Sequence, residues 1–167
     1  LLSRVSGRRE YAEFALDQFE KLHRLLFDVK ESLWSHGYGS GRRTPRFWAR
    51  GTAFAFLGNL LVLEQIDAED GRIALCRESF RQGADRLRKL QDESGFWFAV
   101  PDRPESSRES SGTAWIGAAM ERGMRSGVLD TSYRKCADLA WNAVKSRIWQ
   151  GSFPGHMTGT TVSGQVE

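Results

Sequence analysis

Phe47-Trp-Ala-Arg-Gly-Thr-Ala-Phe-Ala-Phe-Leu-Gly-Asn-Leu-Leu-Val-Leu-Glu-Gln-Ile66 is the stretch that decides the fold. Ala53, Phe54, Phe56, Leu57, Leu60, Leu61, Val62, Leu63 and Ile66 surround a helix on most of its sides. A helix that is apolar nearly all round is a buried one. Upstream, over residues 8–30, Tyr11, Phe14, Ala15, Phe19, Leu22, Leu25, Leu26 and Val29 recur in steps of three and four, the stripe of an amphipathic surface helix. The stripe returns over residues 69–91, carried by Ile73, Cys76, Phe80, Ala84, Leu87 and Leu90. Residues 112–125 form a second small-residue apolar helix through Ala114, Trp115, Ile116, Gly117, Ala118, Ala119 and Met120. Asp130 or Thr131 can cap a last amphipathic helix with Tyr133, Ala137, Ala140, Trp141, Val144 and Ile148.

The helices therefore alternate: outer, inner, outer, inner, outer. Short connections (residues 67–70 and 126–130) lie at one end, and long glycine- and aromatic-rich loops (residues 35–45 and 92–110) at the other. Two concentric layers with loops gathered at one rim describe an all-α fold, an α/α toroid of the (α/α)6-barrel type. With about five helices it is an incomplete barrel, and residues 1–167 read as one domain. The only sheet expected is a small hairpin near residues 96–100. Five helices cannot close a ring, and exposed inner-layer surface costs about 25 cal/mol per Å². Self-association through the open barrel edge is therefore an expectation. Leu1-Leu-Ser-Arg-Val5 reads as the tail of a helix already under way, which leads to the expectation of a C-terminal portion of a longer chain. From Gly151 onward the sequence reads as a glycine- and threonine-rich loop.

At 40% hydrophobic and 27% charged residues, the composition is that of a soluble globular chain, neither disordered nor membrane-embedded. The net charge is +3, and the 19 arginines and 5 lysines are dispersed among acids. No basic stripe points to nucleic acid, whereas a modest positive balance suits a small anionic ligand. No apolar run spans a bilayer, so no membrane partner is expected, and no signal peptide is recognisable. Cys76 and Cys136 lack metal-ligand spacing and read as buried, reduced thiols, which favours a cytoplasmic setting.

The chemistry-bearing residues cluster where loops enter the apolar helices. Arg50 stands at the mouth of the first, and a cation beside apolar sequence wants an anionic partner: a ligand carboxylate, or a structural acid such as Glu109. Trp48 beside it is either a platform for a sugar ring or a core aromatic. His36, in a glycine-rich loop, can meet a hydroxyl or carboxylate, or stand exposed without a role. Glu109 is either a catalytic carboxylate or a helix N-terminal charge, and the second explanation suffices by itself. Gly37-Tyr-Gly-Ser-Gly41 lacks the strand, lysine and helix start of a phosphate loop. His23 falls on the polar side of its helix, and His156 carries no interpretable context. No set of residues has metal spacing or the makings of a catalytic triad, so no metal or cofactor is expected.

Several blocks in order then carry a resemblance: Trp34-Ser-His36-Gly, Trp48-Ala-Arg-Gly51, Leu90-Gln-Asp-Glu-Ser-Gly-Phe-Trp97, Val100-Pro-Asp-Arg-Pro104, Glu109-Ser-Ser-Gly-Thr-Ala114 and Gly123-Met-Arg-Ser-Gly-Val-Leu-Asp130. Together they resemble the second half of the unsaturated glucuronyl and rhamnogalacturonyl hydrolases, glycoside hydrolase families 88 and 105. The resemblance covers the chain from about Gly7 to the tail. It implies an (α/α)6 barrel that removes an unsaturated uronic acid from the non-reducing end of an oligosaccharide. An aspartate protonates the C4=C5 enol ether, water adds at C5, and the hemiketal opens; this differs from displacement at the anomeric carbon. No cofactor is needed, since an acid, water and a positioned substrate suffice. By resemblance His36, Trp48, Arg50 and Phe54 bind the substrate, an oligosaccharide with an anionic sugar.

Two departures stand out. Where the family continues past its arginine and glycine with asparagine, glycine and tryptophan, this chain has Thr52, Ala53 and Phe54. Phe54 keeps an aromatic ring without the indole donor. The family's acidic aspartate is expected upstream of Leu1. Asp17 and Asp28, on the first outer helix, and Asp102, in a loop, do not replace it. No catalytic residue is therefore assigned, and the isolated chain is expected to be inactive. A non-catalytic toroid module that binds acidic sugars or a protein is the competing reading. A toroid sugar epimerase fits less well, because its chemistry relies on histidines and only three are scattered here.

Overall fold

The computed structural model describes residues 1–66 and 70–148. Of the residue 67–70 connection only Asp70 is therefore described, and the tail from Gly151, with His156, lies outside the described residues. A short helix α1 (Leu2–Ser6) ends at Gly7, whose φ of 70° is open to glycine at little cost. The long helices follow: α2 (Glu10–Leu26), α3 (Ala49–Gln65), α4 (Gly71–Leu90), α5 (Ser110–Arg125) and α6 (Arg134–Lys145), the last entered through a 3-10 turn at Thr131–Tyr133. Asp130 caps that turn by accepting the Ser132 N–H at 2.7 Å. Asp70 likewise accepts the Arg72 N–H at 2.8 Å to start α4.

The expected layering is present. α3 packs against both α4 and α5, and α5 packs against α6. The inner pair α3 and α5 thus lies side by side, with α4 and α6 outside and α2 flanking α3 and α4. Small residues set these approaches. A Cβ on Gly112 would stand 2.9 Å from the Ala49 Cβ, and one on Gly117 would stand 2.8 Å from the Ala140 Cβ. Between the layers Phe56 stacks on Phe80 at 4.2 Å, nearly parallel, and the edge of Trp34 fills the space that Gly83 leaves on α4. Trp97, fully buried, donates its Nε1–H to the Leu87 carbonyl at 2.8 Å.

Three expectations need correction. The first amphipathic helix stops at Leu26, short of residue 30. There Phe27–Asp28 (β1) pairs antiparallel with Leu33–Trp34 (β2), and Asp28 Oδ1 accepts the N–H groups of Lys30 and Glu31, so a carboxylate-stabilised turn outcompetes one more helical turn. The sheet content is not confined to one hairpin. Tyr38–Gly39 (β3) pairs with Arg42–Arg43 (β4), while the expected hairpin pairs Trp97–Phe98 (β5) with Arg108–Glu109 (β6) across a longer loop. Finally, α3 is not buried all round: Phe54 is 63% exposed and Leu61 39%. An inner-layer helix has neighbours on three sides only, and its fourth faces the centre of the toroid.

The arc has two unlike edges. Beside α2 and α3 runs an apolar groove of about 610 Å³ lined by Phe14, Leu22, Phe54 and Val62, among others. Beside α5 and α6 runs another of about 550 Å³ that includes Ala114, Ala118 and Trp141 along with Glu121, Arg134 and Asp138. Among the described residues no helix is long and apolar enough to cross a membrane.

Candidate functional site

The loop between β2 and α3 is built by backbone pairing before any functional group is placed. Ser35 N–H donates to the Leu26 carbonyl at 2.9 Å, and Thr44 N–H to the Gly37 carbonyl at 2.9 Å. Arg43 Nε reaches back to the Leu25 carbonyl at 2.9 Å, fastening the β3–β4 hairpin to the end of α2. His36 is thereby held against the first turn of α3. A Cβ on Gly51 would stand 2.8 Å from His36 Nδ1, so glycine at 51 is what lets the imidazole lie there. The ring meets Trp48 edge-on at 6.4 Å between centroids.

Trp48 occupies the N-cap position of α3 in extended conformation, half-buried. Just after it, Ala49 N–H donates to the Ala99 carbonyl at 2.9 Å, and Ala99 N–H to Ser107 at 2.7 Å. The β5–β6 loop is thus sewn to the mouth of α3. Arg50 is half-buried in the first turn, and Phe54 follows at i+4, one turn deeper on the same side of the helix. Thr52 points the other way: it is fully buried and its hydroxyl donates to the Trp34 carbonyl at 3.3 Å. Of the four expected site residues, His36 and Trp48 are in ring contact. Arg50 and Phe54 share a helix face, and Phe54 lines the α2–α3 groove together with His36.

Glu109 takes the structural role. It is 1% exposed, caps α5, and accepts from the N–H groups of Ser111 and Gly112 and from the Ser111 hydroxyl. Thr113 hydroxyl donates to its backbone carbonyl at 2.6 Å and accepts the Trp97 N–H at 3.0 Å. Nearby, Asp92 holds the turn before β5. Burial pushes its pKa up, but hydrogen bonds from Ser94, Arg108 and the Phe96 N–H outweigh that and leave it below the usual carboxylate value. The Asp102 Oδ1 is buried without a hydrogen-bond partner among the described residues.

Sequence reasoning misplaced one residue and passed over another. His23 does not sit on a polar face. It is half-buried between Phe19 and Phe27, stacked on the latter at 4.9 Å, because β1 folds Phe27 back beneath it. Trp115, read only as part of an apolar helix, is 44% exposed and faces Phe54 with 6.0 Å between ring centroids. The signal was present in the sequence, since Phe54 and Trp115 are the sixth residues of two helices of the same layer.

A double layer of helices, with an arginine and aromatic rings at one rim, is the α/α-toroid class of fold. The chain belongs to Glycosyl Hydrolase Family 88, whose profile matches residues 2–164. It is 31% identical over 135 residues to the unsaturated rhamnogalacturonyl hydrolase YesR of Bacillus subtilis, a match covering 79% of this chain and 38% of that protein. Crystal structures of possible family 105 members superpose closely. One from Salmonella enterica gives a TM-score of 0.88 at 25% identity, over 96% of this chain and 44% of that one. One from Klebsiella pneumoniae gives 0.88 at 23%, over 96% and 43%. The chain thus spans well under half the length of the relatives it matches.

Proposed function

We propose that this chain forms the uronate-holding part of a glycoside hydrolase that acts on oligosaccharides ending in an unsaturated uronic acid, by hydration of the C4=C5 enol ether. The observation that carries the reading is the grouping at the mouth of α3: the His36–Trp48 contact, with Arg50 beside it and Phe54 one turn below. A guanidinium offers a planar fork of donors to a carboxylate, the imidazole offers a hydrogen bond to a hydroxyl, and aromatic faces pack on sugar C–H groups. Membership of the family and the likeness to YesR support the same substrate class.

Three of the acids weighed for catalysis have other work, and the fourth, Asp102, stands in the β5–β6 loop with its Oδ1 unpartnered among the described residues. Asp17 pairs with Arg72 at 2.6 Å, Asp28 stabilises its turn, and Glu109 caps α5. The proposal therefore includes that residues 1–167, taken as one domain, do not catalyse alone. Its partners are the anionic oligosaccharide and, through the open edges, further copies of the chain; nucleic acid and membrane are not among them. Two unpaired, buried thiols suit a reducing, cytoplasmic setting.

The test mixes the chain with an unsaturated galacturonyl disaccharide and follows both binding and the enol-ether ultraviolet absorbance. Expected is binding without decay, with affinity falling about tenfold or more in Arg50→Ala, the loss of a charge-assisted contact. Absence of binding by folded protein overturns the reading. Decay that Asp102→Asn abolishes keeps the substrate class but puts the acid inside this chain.

A further inference from the structure

The β1–β2 ribbon carries one main-chain acceptor that its own ladder does not use. Antiparallel pairs alternate between hydrogen-bonded and non-bonded positions. Ser35 N–H donates to the Leu26 carbonyl at 2.9 Å, so 26 and 35 are a bonded pair and the next pair, Phe27 and Trp34, is a non-bonded one. The Trp34 carbonyl therefore turns away from β1. Trp34 is buried, and a buried carbonyl needs a donor. Thr52, fully buried in the first turn of α3, supplies it: the hydroxyl donates to the Trp34 carbonyl at 3.3 Å, while the Thr52 N–H is spent inside the helix on the Trp48 carbonyl at 2.8 Å.

Two residues beyond Trp34 stands His36, received by the same turn of α3. A Cβ on Gly51 would stand 2.8 Å from His36 Nδ1 and 3.7 Å from its Cα, so ring and main chain alike lie against Gly51. Among the described residues no hydrogen bond holds the ring itself, and its place depends on the backbone that carries it. That backbone is fastened on both sides. Beyond His36, Gly37 and Thr44 exchange bonds, Thr44 N–H to the Gly37 carbonyl at 2.9 Å and Gly37 N–H to the Thr44 hydroxyl at 3.1 Å. Before it stands the bond from Thr52 to Trp34. Of the two fastenings, the second is the one that ties the segment to α3, the helix that bears Arg50 and follows Trp48.

We propose that Thr52 is a positioning residue for His36: its hydroxyl holds the Trp34–Ser35 peptide in one orientation and thereby fixes where the imidazole stands to meet a sugar hydroxyl. The inference rests on the uronate-holding reading above. The Trp34 ring, set against Gly83 and Phe56, fixes where β2 lies, but it does not fix how the peptide after it is turned. A planar peptide swings as a unit, and the residues that follow it swing further. A hydrogen bond weakens steeply once its angle is lost, so a turned peptide costs the imidazole its contact. Valine keeps nearly the shape of threonine without the donor, whereas serine keeps the donor without the methyl. The two substitutions therefore separate the bond from the packing.

The test has two readouts in the full 167-residue chain. One is affinity for the unsaturated galacturonyl disaccharide; the other is the nuclear Overhauser peak between the His36 and Trp48 ring protons in the ligand-free protein. Thr52→Val should weaken binding about fivefold and diminish the peak, and Thr52→Ser should restore both. In a His36→Ala background Thr52→Val should cost no further affinity, because its effect passes through the imidazole. Thr52→Ala, which removes the donor without setting a methyl against the carbonyl, repeats both readouts should the valine variant fail to fold. An undiminished peak, or an equal loss of affinity with and without His36, overturns the proposal and leaves the uronate site standing. If the folded parent does not bind the disaccharide, the uronate reading falls, and the peak alone decides whether Thr52 places the imidazole.

Discussion

Gly83 and Trp34 are a pair in which one residue's missing side chain is the other's binding site. A Cβ at 83 would stand 2.6 Å from Trp34 Cζ3 and 2.7 Å from Cη2, and the indole is 2% exposed. Alanine in a helix interior is favoured over glycine by about 1 kcal/mol, but overpacking a rigid buried ring costs about 1–3 kcal/mol. Gly83→Ala should therefore lower stability by about 1–2 kcal/mol in urea unfolding, the packing loss exceeding the propensity gain. A neutral or stabilised variant would mean that α4 shifts away from β2 freely. At Gly51 the same absence has a different consequence, since it admits His36 to the mouth of α3. That His36, Trp48, Arg50 and Phe54 gather at the mouth of α3 was legible from motif order. The reason for glycine at 83 was not, because nothing local announces that an indole from 49 residues away will press on it.

Among elements, the junction of α2 and α4 depends on one arginine. Arg72 holds Asp70 at 2.7 Å, Glu13 at 2.6 Å and Asp17 at 2.6 Å. Its hydrogen bonds bring the Asp70 pKa down to about 2 and depress that of Glu13 as well. Carboxyls with lowered folded-state values contribute stability that is present above their unfolded pKa, near 4, and lost as pH falls toward 2. The difference in melting temperature between the parent and Arg72→Ala should accordingly be largest above about pH 5 and shrink between about pH 4 and 2. A difference that does not vary over that range would assign the arginine's role to packing of its stem. Element types were readable from period and caps, as Asp70 and Asp130 illustrate. The end of α2 was not, because the periodicity of Leu25, Leu26 and Val29 continues through a segment that β pairing claims. Two-residue strands such as β3 and β4 leave no periodic trace at all, since two residues contain no period.

The whole molecule encloses two thiols, one on each of two outer helices. Burial pushes both Cys76 and Cys136 up to about 12, and neither forms a disulfide. Thiolate is the reactive form, so labelling by a disulfide reagent at about pH 8 should wait for unfolding and modify both at one shared rate. If Cys136 reacts ahead of Cys76, α6 opens as a separate unit at the α5–α6 edge. The toroid itself was readable because alternation of apolar and amphipathic helices is a long-range pattern written in short-range periods. The face turned to its centre was not, since apolar residues packed between layers and apolar residues facing the centre look the same in a helical period.

The inequality of the two grooves has a consequence for how each responds to salt. The groove beside α2 and α3 is apolar, while the one beside α5 and α6 mixes Trp141 with Glu121, Arg134 and Asp138. Whatever covers the first is held by the exclusion of water, which ordinary salt leaves untouched. Whatever covers the second meets exposed charges, whose reach physiological ionic strength cuts to about 8 Å. One face of the molecule is thereby indifferent to its ionic surroundings and the other is tuned by them.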